Sequence, residues 1–261
     1  MSATAYIDTF ASDNLPPRQL WPEISFDLPE LQYPERVNCV TELLDSMVAN
    51  GCADKIAIYS RDETWTYAQL QEKVNRIARV LRDDLKLVTG SRILLRGSNG
   101  PMMAACVLAV WKAGYIAVPT MPLLRAKELG VIVEKAHISA ALCSADLQQE
   151  LEAVRAQSPV LKAVTYFHDS AADALEQRMA AQSASFDAVD TAADDVCLIG
   201  FTSGTTGVPK GTMHFHRDIL AICDCFPKST LRAQASDIFI GTPPLAFTFG
   251  LGGLLLFPLR V

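Results

Sequence analysis

The chain has 261 residues, 50% of them hydrophobic, and a formal net charge of −6 at pH 7. That length buries a sizeable core in one or two domains, and the acidic balance excludes electrostatic attraction to nucleic acid or to acidic membrane surfaces. The seven cysteines stand at scattered positions, an odd number without framework spacing, which implies reduced thiols and a cytoplasmic setting. The opening residues lack a basic stretch leading into an apolar core, so no signal peptide is expected.

Residues 1–60 read as an arm that packs on the first lobe. At Thr66 a helix begins, with Gln69 three positions on at the capping-box spacing; Leu70, Val74, Ile77, Ala78, Leu81 and Leu85 then share one face. Ile93 to Leu95 is a short buried strand. Ser98 or Asn99 is expected to cap the next helix, with Pro101 in its first turn and Gly114 just past its end. Tyr115 to Val118 is a strand, Leu123 to Lys135 a helix, Ala140 to Cys143 a strand, Asp146 to Ala156 a helix and Ala163 to Phe167 a strand.

Such alternation predicts an α/β fold, Rossmann-like, with mainly parallel sheets covered by helices on both faces. The Ala-rich, acidic stretch from Asp169 to Asp195 reads as a surface helix plus connector. It divides a first α/β lobe (residues 61–190) from the start of a second (residues 191–261). In that second part Val196 to Phe201 is a buried strand, Thr212 to His216 is extended, and a helix begins near Arg217. On that helix Cys223 and Cys225 point to different faces, which favours core packing over metal ligation. Two apolar stretches, Met102 to Pro119 and Leu245 to Leu259, are interrupted or too short to span a bilayer.

Between the two strand-like runs lies FTSGTTGVPKG, Phe201 to Gly211. Its glycines let backbone N–H groups turn toward an oxyanion, Thr202, Ser203, Thr205 and Thr206 add hydroxyl donors, and Lys210 adds a full positive charge. The combination describes a cradle for a polyphosphate. It is not a Walker loop, because Pro209 precedes Lys210 and Gly211 follows it, and the dinucleotide fingerprint is also absent.

This loop resembles the phosphate loop of the adenylate-forming enzymes, the family of acyl-CoA synthetases, peptide-synthetase adenylation domains and luciferases. Further stretches match in order: Trp65-Thr66-Tyr67 through Leu70; Lys112-Ala113-Gly114 through Val118-Pro119, followed by Glu128-Leu129; and Pro244 to Gly250, similar to the segment that lines the acid pocket. The likeness covers about residues 40 to 261. The arm from Asp8 to Asp45 is similar to the opening of bacterial 2-aminobenzoate–CoA ligases, neighbours of the benzoate–CoA ligases.

The resemblance implies an AMP-forming acid–thiol ligase: the carboxylate of an aromatic acid attacks the α-phosphorus of Mg·ATP, and coenzyme A then displaces AMP. ATP, Mg²⁺ and coenzyme A are the implied cofactors and substrates. The first step joins two anions, so neutralising and positioning the triphosphate is most of the task. Thr202, Ser203, Gly204, Thr205, Thr206 and Gly207 are implied to hold the β- and γ-phosphates, with Lys210 as the catalytic charge. Phe247, Thr248, Phe249 and Gly250 are implied to line the acid pocket, although two aromatics two apart also describe a buried strand. His214 and His216 match a histidine pair after the lysine and read as satisfied histidines beside the loop rather than as catalysts.

The family's adenine, ribose and Mg²⁺ contacts, its hinge and its C-terminal lysine are implied to lie beyond Val261. The expectation is therefore an N-terminal portion, not competent alone and prone to self-association through uncovered apolar surface. Its partners would be small molecules, without nucleic acid or membrane. Two other readings stay open: a ligase for another aryl or acyl acid, and a non-catalytic binding remnant that keeps only the phosphate loop.

Overall fold

The computed structural model describes residues 3–202 and 209–261. In chain order the elements are α1 (Phe10–Asp13), β1 (Ile56–Tyr59), β2 (Thr64–Thr66), α2 (Tyr67–Arg79), β3 (Arg92–Arg96), α3 (Pro101–Lys112), β4 (Ile116–Thr120), α4 (Ala126–Lys135), β5 (Ala140–Ser144), α5 (Gln148–Arg155), β6 (Ala163–Phe167), α6 (Leu175–Ala180), β7 (Val196–Thr202), β8 (Lys210–Phe215), α7 (His216–Phe226), α8 (Thr248–Leu251) and α9 (Phe257–Arg260). β1 and β2 pair as a small antiparallel ribbon, and the others form one six-stranded sheet in the order β6-β5-β3-β4-β7-β8. Every pair in that sheet is parallel except β7–β8.

The expected division near residue 190 falls within this sheet. β7 pairs with β4, and Trp111 Nε1 donates to the Cys197 carbonyl at 2.7 Å, so the strands on either side share one core. The arm also reaches both parts. Arg92 on β3 forms an ion pair with Asp8 at 2.6 Å, while Asp195 accepts hydrogen bonds from Thr4 Oγ1 (2.5 Å) and the Ala5 N–H (3.1 Å).

Strand alternation sorts the core into two layers. Ile93, Leu95, Ala117, Ala140 and Leu142 join the layer built on α2, α3 and α7. Leu94, Ile116, Val118, Ala141 and Cys143 join the layer built on α4 and α5. α3 lies in the interior with all of its residues buried, as its continuous apolar sequence requires.

The start of α2 is the expected capping box: Thr66 Oγ1 accepts from the Gln69 N–H at 3.2 Å and Gln69 Oε1 accepts from the Thr66 N–H at 2.9 Å. α3 starts differently from expectation. Gly100 is its N-cap residue without a side-chain bond, and Asn99 uses its amide elsewhere. Pro101 at the first helical position needs no donor partner, which makes a side-chain cap there less necessary. At the other end Gly114 has φ +71°, the left-handed conformation that turns the chain sharply into β4. α4 begins at Ala126 rather than Leu123, because Met121–Leu124 forms a turn whose carbonyls bind Arg96.

Lys112, at the end of α3, is 2% exposed and donates to Asp45 Oδ1 and Asn75 Oδ1, both at 2.6 Å. Removing one member of a buried charged pair leaves the other without compensation. Lys112→Ala is therefore expected to lower unfolding free energy by about 3 to 5 kcal/mol. Urea denaturation checks this, and a loss below about 1 kcal/mol, the range of surface pairs, would refute the assignment.

Candidate functional site

Strands β3, β4 and β7 point the same way, so the segments leaving their carboxyl ends collect at one end of the sheet. The chain leaves β3 toward β4 on one side and returns to β5 on the other, which makes this end a topological switch point where open α/β sheets bind ligands. Thr202 ends β7 at this end. β8 runs back antiparallel from Lys210, with Thr202 opposite Lys210 and Phe201 opposite Gly211. Thr202 and Lys210, both exposed, thus face each other at the mouth of the β7–β8 hairpin. Ser203, Gly204, Thr205, Thr206 and Gly207, named above as phosphate ligands, lie outside the described residues.

The descending side of the hairpin is held from outside: Lys135, at the end of α4, donates from Nζ to the Pro209 carbonyl at 2.8 Å. On β8, Thr212 Oγ1 donates to the Gly200 carbonyl at 3.0 Å and lies 3.2 Å from His214 Nε2. Burial pushes the His214 pKa below its ordinary value, against a smaller opposing effect of Asp218. His214 is thereby neutral at neutral pH. His216 is 0% exposed, with its ring between Cys39 and Tyr6, so it takes no position facing the hairpin mouth.

The segment Pro244–Gly250 reaches the same end of the sheet by a different route. Asn99, in the turn after β3, donates from Nδ2 to the Pro243 carbonyl (2.9 Å) and accepts the Leu245 N–H (2.8 Å). A turn bond from the Phe247 N–H to the Pro244 carbonyl (3.0 Å) leads into α8. Gly250 is required here, because a Cβ would stand 2.2 Å from the Pro244 carbonyl oxygen. Thr248 Cγ2 lies only 3.6 Å from where a Cβ at Gly200 would be, so this segment abuts the strand that carries the hairpin.

Phe247 and Phe249 are not core residues on a buried strand. They are 46% and 79% exposed, before and within α8, where Gly250 and Leu251 take the buried positions. An open depression beside this segment is walled by Asn99, Gly100, Ile240, Leu245 and Leu254; Phe247, Thr248, Phe249 and Gly250 are not part of its wall. The sequence reading missed Asn99 and Lys135 as positioning residues, because each acts on a segment more than 70 residues away. No helix among the described residues is long and apolar enough to cross a membrane.

Gly250→Ala is expected to cost about 1 to 3 kcal/mol through overpacking against the Pro244 carbonyl, read by chemical denaturation; unchanged stability would show that the turn does not need glycine. The His214 imidazole is expected to titrate below 6.5 in an NMR pH series. Since the folded form holds that proton less tightly than the unfolded one, this histidine's contribution to stability is present above the unfolded value and is lost as pH falls through the lower folded value. A midpoint at or above 6.5 would contradict its burial.

Known proteins are similar to this chain in sequence and in fold. A family model described as AMP-binding enzyme matches residues 46–261. The chain is 28% identical over 233 residues to a benzoate–CoA ligase of Thauera aromatica, covering 89% of this chain and 44% of that protein. It is 31% identical over 207 residues to an anthranilate–CoA ligase of Pseudomonas aeruginosa, covering 76% of this chain and 37% of that one. The chain therefore spans less than half the length of these relatives. Among solved structures, an anthranilate CoA ligase, AuaEII, in complex with anthranoyl-AMP superposes with a TM-score of 0.84 at 24% identity, over 90% of this chain and 45% of that one, a likeness of fold. With most of its length matched by the family model, the chain belongs to the AMP-binding enzyme family.

Proposed function

We propose that the whole protein to which this chain belongs activates an aromatic carboxylic acid with ATP, forming an acyl-adenylate and then its coenzyme A thioester. The observation that carries the reading is the meeting, at the carboxyl end of one parallel sheet, of the Thr202–Lys210 hairpin mouth with the Asn99-anchored segment ending at Gly250. In this reading Thr202, Ser203, Gly204, Thr205, Thr206 and Gly207 hold the β- and γ-phosphates. Lys210 neutralises charge as pyrophosphate leaves, which lowers the barrier to joining two anions. Lys210 is exposed at the start of β8, opposite Thr202.

Phe247, Thr248, Phe249 and Gly250 line the acid pocket, where an aromatic ring offers a flat apolar surface to a flat acid. Mg²⁺ would enter with ATP and spread the triphosphate charge. Among acids, 2-aminobenzoate is favoured. Support comes from the arm's resemblance to 2-aminobenzoate–CoA ligases and from an anthranilate–CoA ligase among the relatives. Benzoate and hydroxybenzoate ligases among the relatives make those acids the natural competitors.

Acid-dependent pyrophosphate release by the whole protein, measured over 2-aminobenzoate, benzoate, the hydroxybenzoates and a long-chain fatty acid, tests the proposal. The highest kcat/KM is expected for 2-aminobenzoate, and release with none of the acids would overturn the enzymatic reading. Lys210→Ala is expected to depress adenylation about 10²-fold or more while leaving aryl-acid binding nearly unchanged. Equal loss of both would remove Lys210 from the phosphate-binding role.

A further inference from the structure

Away from the hairpin mouth, three reactive side chains from distant parts of the sequence meet in the interior. Cys39 comes from the arm, Cys197 from β7 and His216 from the first turn of α7, and each is 0% exposed. Their two sulfurs and a ring nitrogen all lie within 4.8 Å of one another. Cys39 Sγ is 3.2 Å from His216 Nδ1.

The imidazole is held in one orientation. The Tyr6 hydroxyl donates its proton to the Val196 carbonyl at 2.8 Å, so toward His216 Nε2, 3.5 Å away, it has only a lone pair to offer. The ring proton therefore belongs on Nε2. That tautomer leaves the Nδ1 lone pair aimed at the sulfurs, where it accepts the Cys39 N–H at 3.2 Å. A histidine fixed on one nitrogen by an outer hydrogen bond and presenting the other is the usual arrangement of a metal ligand.

We propose that Cys39, Cys197 and His216 form a binding site for a thiophilic d¹⁰ cation, with Zn²⁺ as the ion of matching charge. Bond lengths of about 2.3 Å to sulfur and about 2.0 Å to nitrogen place those donors roughly 3.5 Å apart around a tetrahedral ion. The Cys39–His216 spacing of 3.2 Å is close to that. Two thiolates neutralise a dication, so the loaded site adds no net charge to a dry interior. The His214 carbonyl oxygen, 3.6 Å from Cys197 Sγ, offers a fourth donor.

Uptake breaks two S–H bonds, forms two Zn–S bonds and one Zn–N bond, and releases both protons to solvent; the Cys39 N–H gives up its place on Nδ1. The ion would tie the arm to the base of the β7–β8 hairpin, because Cys197 and His216 stand on either side of it.

The test uses the reduced, chelator-stripped protein titrated with Co²⁺ and then Zn²⁺. The expected result is stoichiometric Co²⁺ uptake with strong thiolate-to-cobalt charge-transfer absorption and a tetrahedral d–d spectrum, both abolished by displacement with Zn²⁺. Cys197→Ser is expected to lose part of the charge-transfer intensity. Tyr6→Phe, which keeps the ring and removes the outer oxygen, is expected to weaken binding about 10-fold or more. Should Cys197→Ser not fold, the wild-type cobalt spectrum and Tyr6→Phe decide. An octahedral spectrum without thiolate absorption, binding unchanged in Cys197→Ser, or a Cys39–Cys197 disulfide in protein that takes up no metal would overturn the proposal.

Discussion

β3 is buried along its whole length and both of its neighbours run parallel to it, so each face of the sheet must be covered by apolar side chains from other elements. A parallel ladder needs crossovers, and the crossovers supply that cover: α3 on one face, α4 and α5 on the other. The two arginines at the ends of β3 show how tightly this constraint binds. Arg92 and Arg96 are each 1% exposed; both guanidiniums donate to main-chain carbonyls of the turns around them, and Arg92 also pairs with Asp8. Arg92 thereby fixes the turn before β5, and Arg96 the turn after β4.

The candidate site inherits its position from that arrangement. Parallel strands share a carboxyl end, and the reversal of strand order at β3 and β4 opens a crevice there. Asn99 converts the crevice into an anchoring point for a segment 144 residues further along, and Lys135 anchors the hairpin from the opposite layer. Among the described residues expected to touch a ligand, Thr202, Lys210, Phe247, Thr248 and Phe249 are exposed and Gly250 is buried, while Asn99 and Lys135 are exposed side chains held by hydrogen bonds to main-chain groups.

Local signals in the sequence were reliable where the physics is local. The Thr66–Gln69 capping box, the apolar face of α2 and the positive φ at Gly114 all depend on neighbours within a few residues. Boundaries shifted where tertiary bonds compete: the start of α4 gave way to a turn held by Arg96, and Asn99 gave up its capping role for two bonds to the Pro243–Leu245 stretch. Phe247 and Phe249 illustrate the limit of periodicity. Spacing of two suits a strand, but the turn closed by Pro244 and the close approach at Gly250 place Phe247 just before a short helix and Phe249 within it, both exposed.

From sequence alone came the α/β class, the order of strands and helices, and the family. These depend on residue type, on spacing along the chain and on the order in which motifs follow one another. Tertiary structure alone decided that β7 and β8 extend the first sheet and that Asn99 and Lys135 position the site. It also decided that Cys39, Cys197 and His216 meet although they stand up to 177 residues apart. Contacts of that range are set by how layers close on one another, and no periodicity along the chain encodes them.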